Sequence, residues 1–394
     1  MADSLAMHRG ANAGLFHVRR LMRRIETFGL HLATLDVRQH ADVHRAVVAQ
    51  GLGDPDFAGR PVTERTQLIR DALVRGGGPG FPLDVVGRRS LAVFEQLVHG
   101  RHRYGRESIG EYVVSGATGP DDVLAVLLLA RWAEMGDKKT GEIPLDVAPL
   151  FESVGALQSC DRVLDDLLRD PAYRRHVVAR GNRQGVMLGY GDSNKDSGFA
   201  ASRWALNRAQ AALAAVASRE GVELTAFHGR GGATSRGASR IATLVRGAPV
   251  GSFGGVLRVT EQGGLINQSY ALRPIAMRTL EQAFNGAARA LAVARQSPVS
   301  DDASIAVMDV VASQSRVAYR TLVHETPGFW DYFREATPID VIERMQIGSR
   351  PTSRAGGEGI DALRSVPWSF AWSQARHLLP SWFGMGTGLD AACE

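Results

Sequence analysis

Two short polar stretches hold residue types that could do chemistry together. The first, GYGDSNKDSG, offers Asp192 as a hard oxygen ligand and Lys195 as a compact positive charge three residues on. The second, HGRGGATSR, sets His228, Arg230 and Arg236 among glycines. Glycine lets backbone N–H groups close on an anion, and a guanidinium fork grips carboxylate or phosphate with two bonds at once. A GRGG run alone is more often a flexible turn. Two such loaded stretches, each following an apolar run, point instead to an anionic substrate held beside a divalent metal.

The positioning elements can be read around them. Residues 186–190 and 222–227 are apolar, strand-like runs that lead straight into the two stretches. Between them Leu206, Ala209, Leu213 and Val216 recur at helical spacing on one face. Strand, polar loop, helix, strand, polar loop is a parallel β/α unit, in which ligands gather at the carboxyl ends of the strands. The alternation also runs upstream, with a strand at 112–115, a helix at 120–135 and a strand at 146–151 that ends at Glu152. Glu152 and Asp192 then follow successive strands and form a pair able to converge on one metal, since Mg²⁺ takes few protein carboxylates and fills its octahedron with other oxygens. A carboxylate facing the dipole of the next helix, 157–168, is an equally ordinary role for Glu152. Residues 31–37 predict a strand that leaves Arg38 at its carboxyl end, although an ion pair with Asp36 would account for Arg38 as well.

Helical periodicity marks 15–27, 42–50, 62–76, 89–100, 272–296, 304–324 and 338–346, and a further strand is expected at 255–260. The fold expected is therefore α/β but predominantly helical, with many helices added around a parallel barrel. A glycine-rich loop at 347–359 carries Arg350 and Arg354, Arg364 follows in a short helix, and the tryptophan-rich tail 366–386 reads as core or interface.

Composition sets bounds. At 394 residues and 44% hydrophobic content the chain can bury a substantial core. The expected division is an N-terminal helical segment, 1–105, with the first strand, and a barrel portion, 106–394, the two forming one continuous domain. The longest apolar run, 123–130, is too short to cross a bilayer, and MADSLAMHRG has no signal-peptide core, so a cytoplasmic protein is expected. Cys160 and Cys393 have neither disulfide-framework nor zinc spacing. The formal charge of +5 is scattered rather than gathered, which argues against nucleic acid. Lysines occur only at 138, 139 and 195, so Lys195 stands out in a chain that otherwise uses arginine, and arginine cannot reproduce a compact ammonium.

These residues resemble a known family. VMLGYGDSNKDSG resembles the lysine signature of phosphoenolpyruvate carboxylases, and FHGRGG followed by Arg236-Gly237 resembles their glycine-rich anion loop. The similarity continues in the family's order through FGLHLATLDVRQ (28–39), SIGEYVVSGATGPDDVLAVLLL (108–129), VAPLFES (147–153), GGVLRVTEQG (254–263), IGSRP (347–351) and LRSVPWSFAWSQARHLLPSWFGMG (363–386). The resemblance implies a TIM-type (β/α) barrel and a carboxy-lyase that joins phosphoenolpyruvate and bicarbonate into oxaloacetate and phosphate with Mg²⁺ or Mn²⁺. That is anaplerotic carbon fixation feeding the tricarboxylic acid cycle, carried out by a cytoplasmic homotetramer. By motif, Glu152 and Asp192 would hold the metal, and Arg38, Arg230, Arg350 and Arg364 would grip phosphoenolpyruvate. Lys195, His228 and Arg236 would be catalytic, the last two facing bicarbonate.

Three departures accompany the resemblance. The family's TAHPTE signature, with its reactive histidine, is absent from the sequence, and the family extends beyond FGMG. Both imply an internal portion of a longer enzyme, with an incomplete barrel and little turnover alone. The alternative is a catalytically silent anion-binding or oligomerisation module. Finally, Ser235, Ala238 and Ser239 stand where the family commonly has glycine, which would oppose any positive φ required there.

Overall fold

A computed structural model of the chain describes residues 1–137, 139–294, 302–345, 352–353 and 359–394. Six strands, β1 (Leu35–His40), β2 (Ile109–Ser115), β3 (Asp146–Phe151), β4 (Arg183–Gly189), β5 (Glu223–Gly229) and β6 (Arg258–Val259), are hydrogen-bonded in their order along the chain. The pairs β3/β4, β4/β5 and β5/β6 are parallel. Helices outnumber them, as the helical periodicities require.

The chain divides into two compact units. The first comprises Met1–Val114 with Asp121–Ala148. Its core includes most of the helix Pro120–Trp132, whose residues Val123–Ala130 are all buried, which explains a long apolar run without any membrane role. No helix among the described residues is long and apolar enough to cross a membrane. Beside that core His44 and Tyr112 share a 2.8 Å hydrogen bond, Phe94 stacks on Tyr112 at 5.2 Å, and Arg65 donates to buried Asp121 at 2.6 Å. The N-terminal helix Leu15–Phe28 forms as its periodicity predicts, but Met22 and Ile25 are exposed and only Leu15 is buried. Residues 31–34 do not extend as expected: β1 begins at Leu35, so Arg38 lies inside a strand rather than at its end, and it is exposed.

The second unit comprises Ser115–Pro120 with Pro149–Glu394. Seven consecutive register pairs, from Arg183–Glu223 to Gly189–Gly229, join β4 to β5. The helix Phe199–Arg219 buries Leu206, Ala209, Leu213 and Val216, the face read from the sequence. The helix Val154–Arg169 is capped by Ser153, whose Oγ accepts from Ala156 N at 3.1 Å, so Glu152 is not its capping residue. β6 pairs over only two residues, fewer than expected. A separate aromatic core joins Phe329 and Phe333 to Trp368 and Trp372, while Trp382 of the same tail is 58% exposed.

Candidate active site

The carboxyl ends of β3, β4 and β5 lie in the second unit and carry the residues singled out above. The first polar stretch is not a loop: Gly191–Ser197 is a short helix. Ser193 Oγ donates to Gly189 O at 2.9 Å and Ser197 Oγ to Ser193 O at 2.6 Å, so both serine hydroxyls bond back to backbone carbonyls four residues earlier. Gly198, at φ +78°, ends it. An apolar period never marked this helix because the residues it buries are Ser193, Asn194, Lys195 and Ser197.

Register places Phe151 beside Leu188, and hence Glu152 beside Gly189. A β-carbon at 189 would lie 2.5 Å from Glu152 Cβ, so the missing side chain is what lets Glu152 stand against the end of β4. Asp192 follows in the first turn of the 191–197 helix. Two hard carboxylates thus occupy the same ends of neighbouring parallel strands. No cluster of three or more His, Cys, Asp or Glu with metal-binding geometry occurs among the described residues, so a cation here would draw on this pair, water and substrate oxygens.

His228 is buried on β5, its Nδ1 sharing a 2.9 Å hydrogen bond with Tyr190 Oη. Burial, with Arg230 and Arg203 behind it, pushes the imidazole down to about 4, while burial pushes the Tyr190 phenol up to about 12. Both groups are therefore neutral near pH 7. Arg203 lies over the Tyr190 ring at 5.0 Å. Arg230 is 7% exposed; its Nη1 donates to Ser239 O at 2.9 Å and its Nη2 stands 3.7 Å from Glu261 Oε1. Its backbone N–H donates to His228 O at 2.9 Å. Arg236 closes the same turn, since its carbonyl accepts Gly231 N at 2.6 Å and a β-carbon at 231 would lie 2.7 Å from its Cζ. Burial lowers the pKa of Arg236, and the carboxylate of Asp192 opposes that shift, which ties the two loaded stretches together electrostatically.

Lys195 sits on the buried side of its helix, 4% exposed, with Nζ donating to Ile360 O at 2.6 Å. Its carbonyl accepts Tyr319 Oη at 2.9 Å and faces His324 Nε2 at 3.4 Å. Arg364 is the residue before the helix Ser365–Ser373, and its N–H donates to Thr352 O at 2.9 Å. That helix packs on both loaded stretches: a β-carbon at 191 would lie 2.6 Å from Ser365 Oγ, and Ser235 Oγ donates to Ser369 Oγ at 3.2 Å. The structure thus brings together Asp192, His228, Arg230 and Arg236, with Glu152 at the next strand end, Lys195 on the 191–197 helix and Arg364 at the cap of the helix Ser365–Ser373. Arg38 lies in the first unit. Arg350 lies outside the described residues. Tyr190 and Arg203 were not singled out from the sequence, because their pairing crosses the break at Gly198 and follows neither a helical nor a strand period.

His228 gives the site a pH signature. The unfolded imidazole takes up its proton near pH 6.5 and the folded one only near 4, so between them the unfolded chain binds more protons and stability falls as pH falls. Urea midpoints measured from pH 7.5 to 4.5 should decline across that window, and His228→Gln should flatten part of the decline. An unchanged slope in the variant would show that the imidazole is not held neutral.

Over residues 1–394 the sequence matches the family model for phosphoenolpyruvate carboxylase. The chain belongs to the phosphoenolpyruvate carboxylase family. Phosphoenolpyruvate carboxylase of Xanthomonas campestris pv. campestris (strain 8004) is 48% identical over 396 residues, covering 100% of this chain and 43% of the relative. That of Xanthomonas euvesicatoria pv. vesicatoria (strain 85-10) is 47% identical over 395 residues, with 100% and 43% covered. That of Mycobacterium avium (strain 104) is 39% identical over 407 residues, with 98% and 42% covered. The chain spans about 43% of the length of the first of these relatives. The glycine-rich loop after β5 of this member of the phosphoenolpyruvate carboxylase family takes a positive φ at Gly237, +92°, and not at Ser235, Ala238 or Ser239. The three replacements of commonly occurring glycines are therefore compatible with the backbone the loop adopts.

Proposed function

We propose that this cluster is the phosphoenolpyruvate and bicarbonate site of a carboxylase that forms oxaloacetate and phosphate. The observation that carries the reading is the convergence of His228, Arg230 and Arg236 on one turn beside Tyr190, with Asp192 of the neighbouring helix acting electrostatically on Arg236. In this reading Arg230, with Arg364 and Arg350, grips the phosphate and carboxylate of phosphoenolpyruvate, and a buried guanidinium such as that of Arg230 offers fixed charge with little reorganisation. Bicarbonate takes up the phosphoryl group, leaving the enolate of pyruvate. Arg236 and neutral His228 then hold the carboxyphosphate while it releases carbon dioxide beside the enolate carbon. Lys195 fixes the 191–197 helix against residue 360 and so positions Asp192.

Glu152 and Asp192 fit Mg²⁺ or Mn²⁺ by donor type and by their place on adjacent strand ends. When bound, such an ion supplies Lewis-acid stabilisation of phosphoryl and enolate oxygens. The six strands in chain order, with helices between them, suit a stretch of a TIM-type barrel, and family membership suggests a cytoplasmic homotetramer. Calorimetric titration of Mn²⁺ into Glu152→Gln and Asp192→Asn should show affinity at least about tenfold weaker than in the parent, the lower limit of what even supporting residues of metal sites contribute. Unaltered Mn²⁺ affinity in both variants would remove these carboxylates from the metal site. Phosphoenolpyruvate binding that does not respond to Mn²⁺ would favour the silent anion-binding module.

A further inference from the structure

Outside this site, four arginines converge on a second cleft. Arg240 caps the helix Ile241–Arg246 and Arg246 ends it, and Arg278 and Arg289 lie on the helix Arg273–Ala294. The cleft between these helices has a volume of about 520 Å³, within the ordinary range for small-molecule sites. Arg278, Gln282, Asn285 and Arg289 line it at spacings of four, three and four residues, which is one face of a helix. Glu281 is the single carboxylate of the lining.

Elsewhere in the chain exposed or half-buried arginines meet carboxylates: Arg45 with Asp122, Arg60 with Asp54, Arg219 with Asp165 and Arg320 with Asp196. These four do not. None makes a side-chain hydrogen bond or ion pair among the described residues. Like charges gathered without counter-charges repel, so the arrangement gains most from an anion that bridges them.

The cleft walls are also fixed. A β-carbon at Gly286 would lie 2.9 Å from Ala242 Cα, so the two helices meet there at the closest approach a glycine permits. Asn207 Nδ2 donates to Gly247 O at 3.0 Å and ties the end of the 241–246 helix to the helix Phe199–Arg219. The cleft therefore has a shape before any ligand enters it.

We propose that this cleft binds a compact phosphorylated anion of about three negative charges, matching the surplus of four arginines over one glutamate. Its position gives the binding a route to the catalytic loop. Arg240 directly follows Ser239, whose carbonyl oxygen holds the Arg230 guanidinium at 2.9 Å. An anion that draws Arg240 and Arg246 towards Arg278 and Arg289 orders the segment from which Arg230 hangs, so occupancy of the cleft stiffens the anion loop.

The probe is pyrophosphate, titrated into the 394-residue chain in EDTA at constant ionic strength, with calorimetry and amide hydrogen exchange as readouts. Binding should protect amides at 240–246 and 278–289. Arg278→Gln/Arg289→Gln should weaken affinity by about tenfold or more and abolish that protection. Both side chains are exposed, and matching thermal melts would show that the fold is retained. Arg230→Ala, which acts at the carboxyl-end site, should leave the protection at 278–289 in place, so failure of one site is distinguishable from failure of the other. Protection that persists in the double variant, or that is lost in Arg230→Ala instead, overturns the proposal. So does displacement by chloride at equal ionic strength, which would mark a diffuse charge effect.

Discussion

Arg230→Ala should weaken phosphoenolpyruvate binding by roughly 30- to 5,000-fold, the range for truncating one partner of a buried, hydrogen-bonded charge pair. The guanidinium is buried, its Nη1 is fixed by Ser239 O, and Glu261 is the carboxylate beside it. Deleting the fork does more than remove a cation. It leaves Glu261, whose side chain is only 12% exposed, facing the approach of an anionic substrate. The same substitution removes one of the two charges that hold the His228 imidazole down, so its pKa should rise. Calorimetry reads the first effect and imidazole resonances followed against pH read the second. Arg230→Lys should recover part of the pKa effect but little of the binding, because an ammonium keeps the charge and loses the fork. Parent-like affinity in the alanine variant would take Arg230 out of the substrate site.

Gly237→Val should cost about 2–5 kcal/mol of stability, combining a strained backbone with overpacking. Gly237 has φ +92°, and a β-carbon there would lie 2.6 Å from Tyr190 Cδ1 and 3.0 Å from Arg230 Cβ. Relief requires moving one or both of those side chains, so anion binding should be lost along with stability. The neighbouring position gives the contrast. Ala238 has no positive φ, and Ala238→Gly should cost only about 0.4–1 kcal/mol, through greater freedom of the unfolded chain. Urea unfolding of both variants checks the pair. A Gly237→Val protein as stable as the parent would mean that the loop relaxes away from Tyr190 without penalty.

How legible the molecule was follows from where its signals lie. β4, β5 and the helix between them could be read closely, because dense apolar runs and a helical apolar stripe coincide there with real burial. β1 was displaced because HLATLDV (31–37) looks like a strand in composition, yet Leu32 and Leu35 are 78% and 64% exposed and Leu32 has φ +68°. Apolar composition stands for burial only where something covers it. The 191–197 helix escaped notice for the opposite reason, since it buries serine, asparagine and lysine. The site's polar residues were found by type and motif. Tyr190 and Arg203 were not, because a cation over a ring is a tertiary contact that leaves no period in the chain.

Lys195 provides a chemical reporter. With lysines only at 138, 139 and 195, an amine-directed acylating reagent meets few targets besides the N-terminus. Lys139 lies on the surface, whereas the Lys195 ammonium is enclosed and donates to Ile360 O. Acylation at Lys195 therefore requires the 191–197 helix and the 359–362 segment to part, and its rate relative to Lys139 measures how often they do so. Local openings of this kind have free energies between zero and that of global unfolding. A tryptic mass map over a time course of labelling would turn one buried hydrogen bond into a clock for the opening of this region.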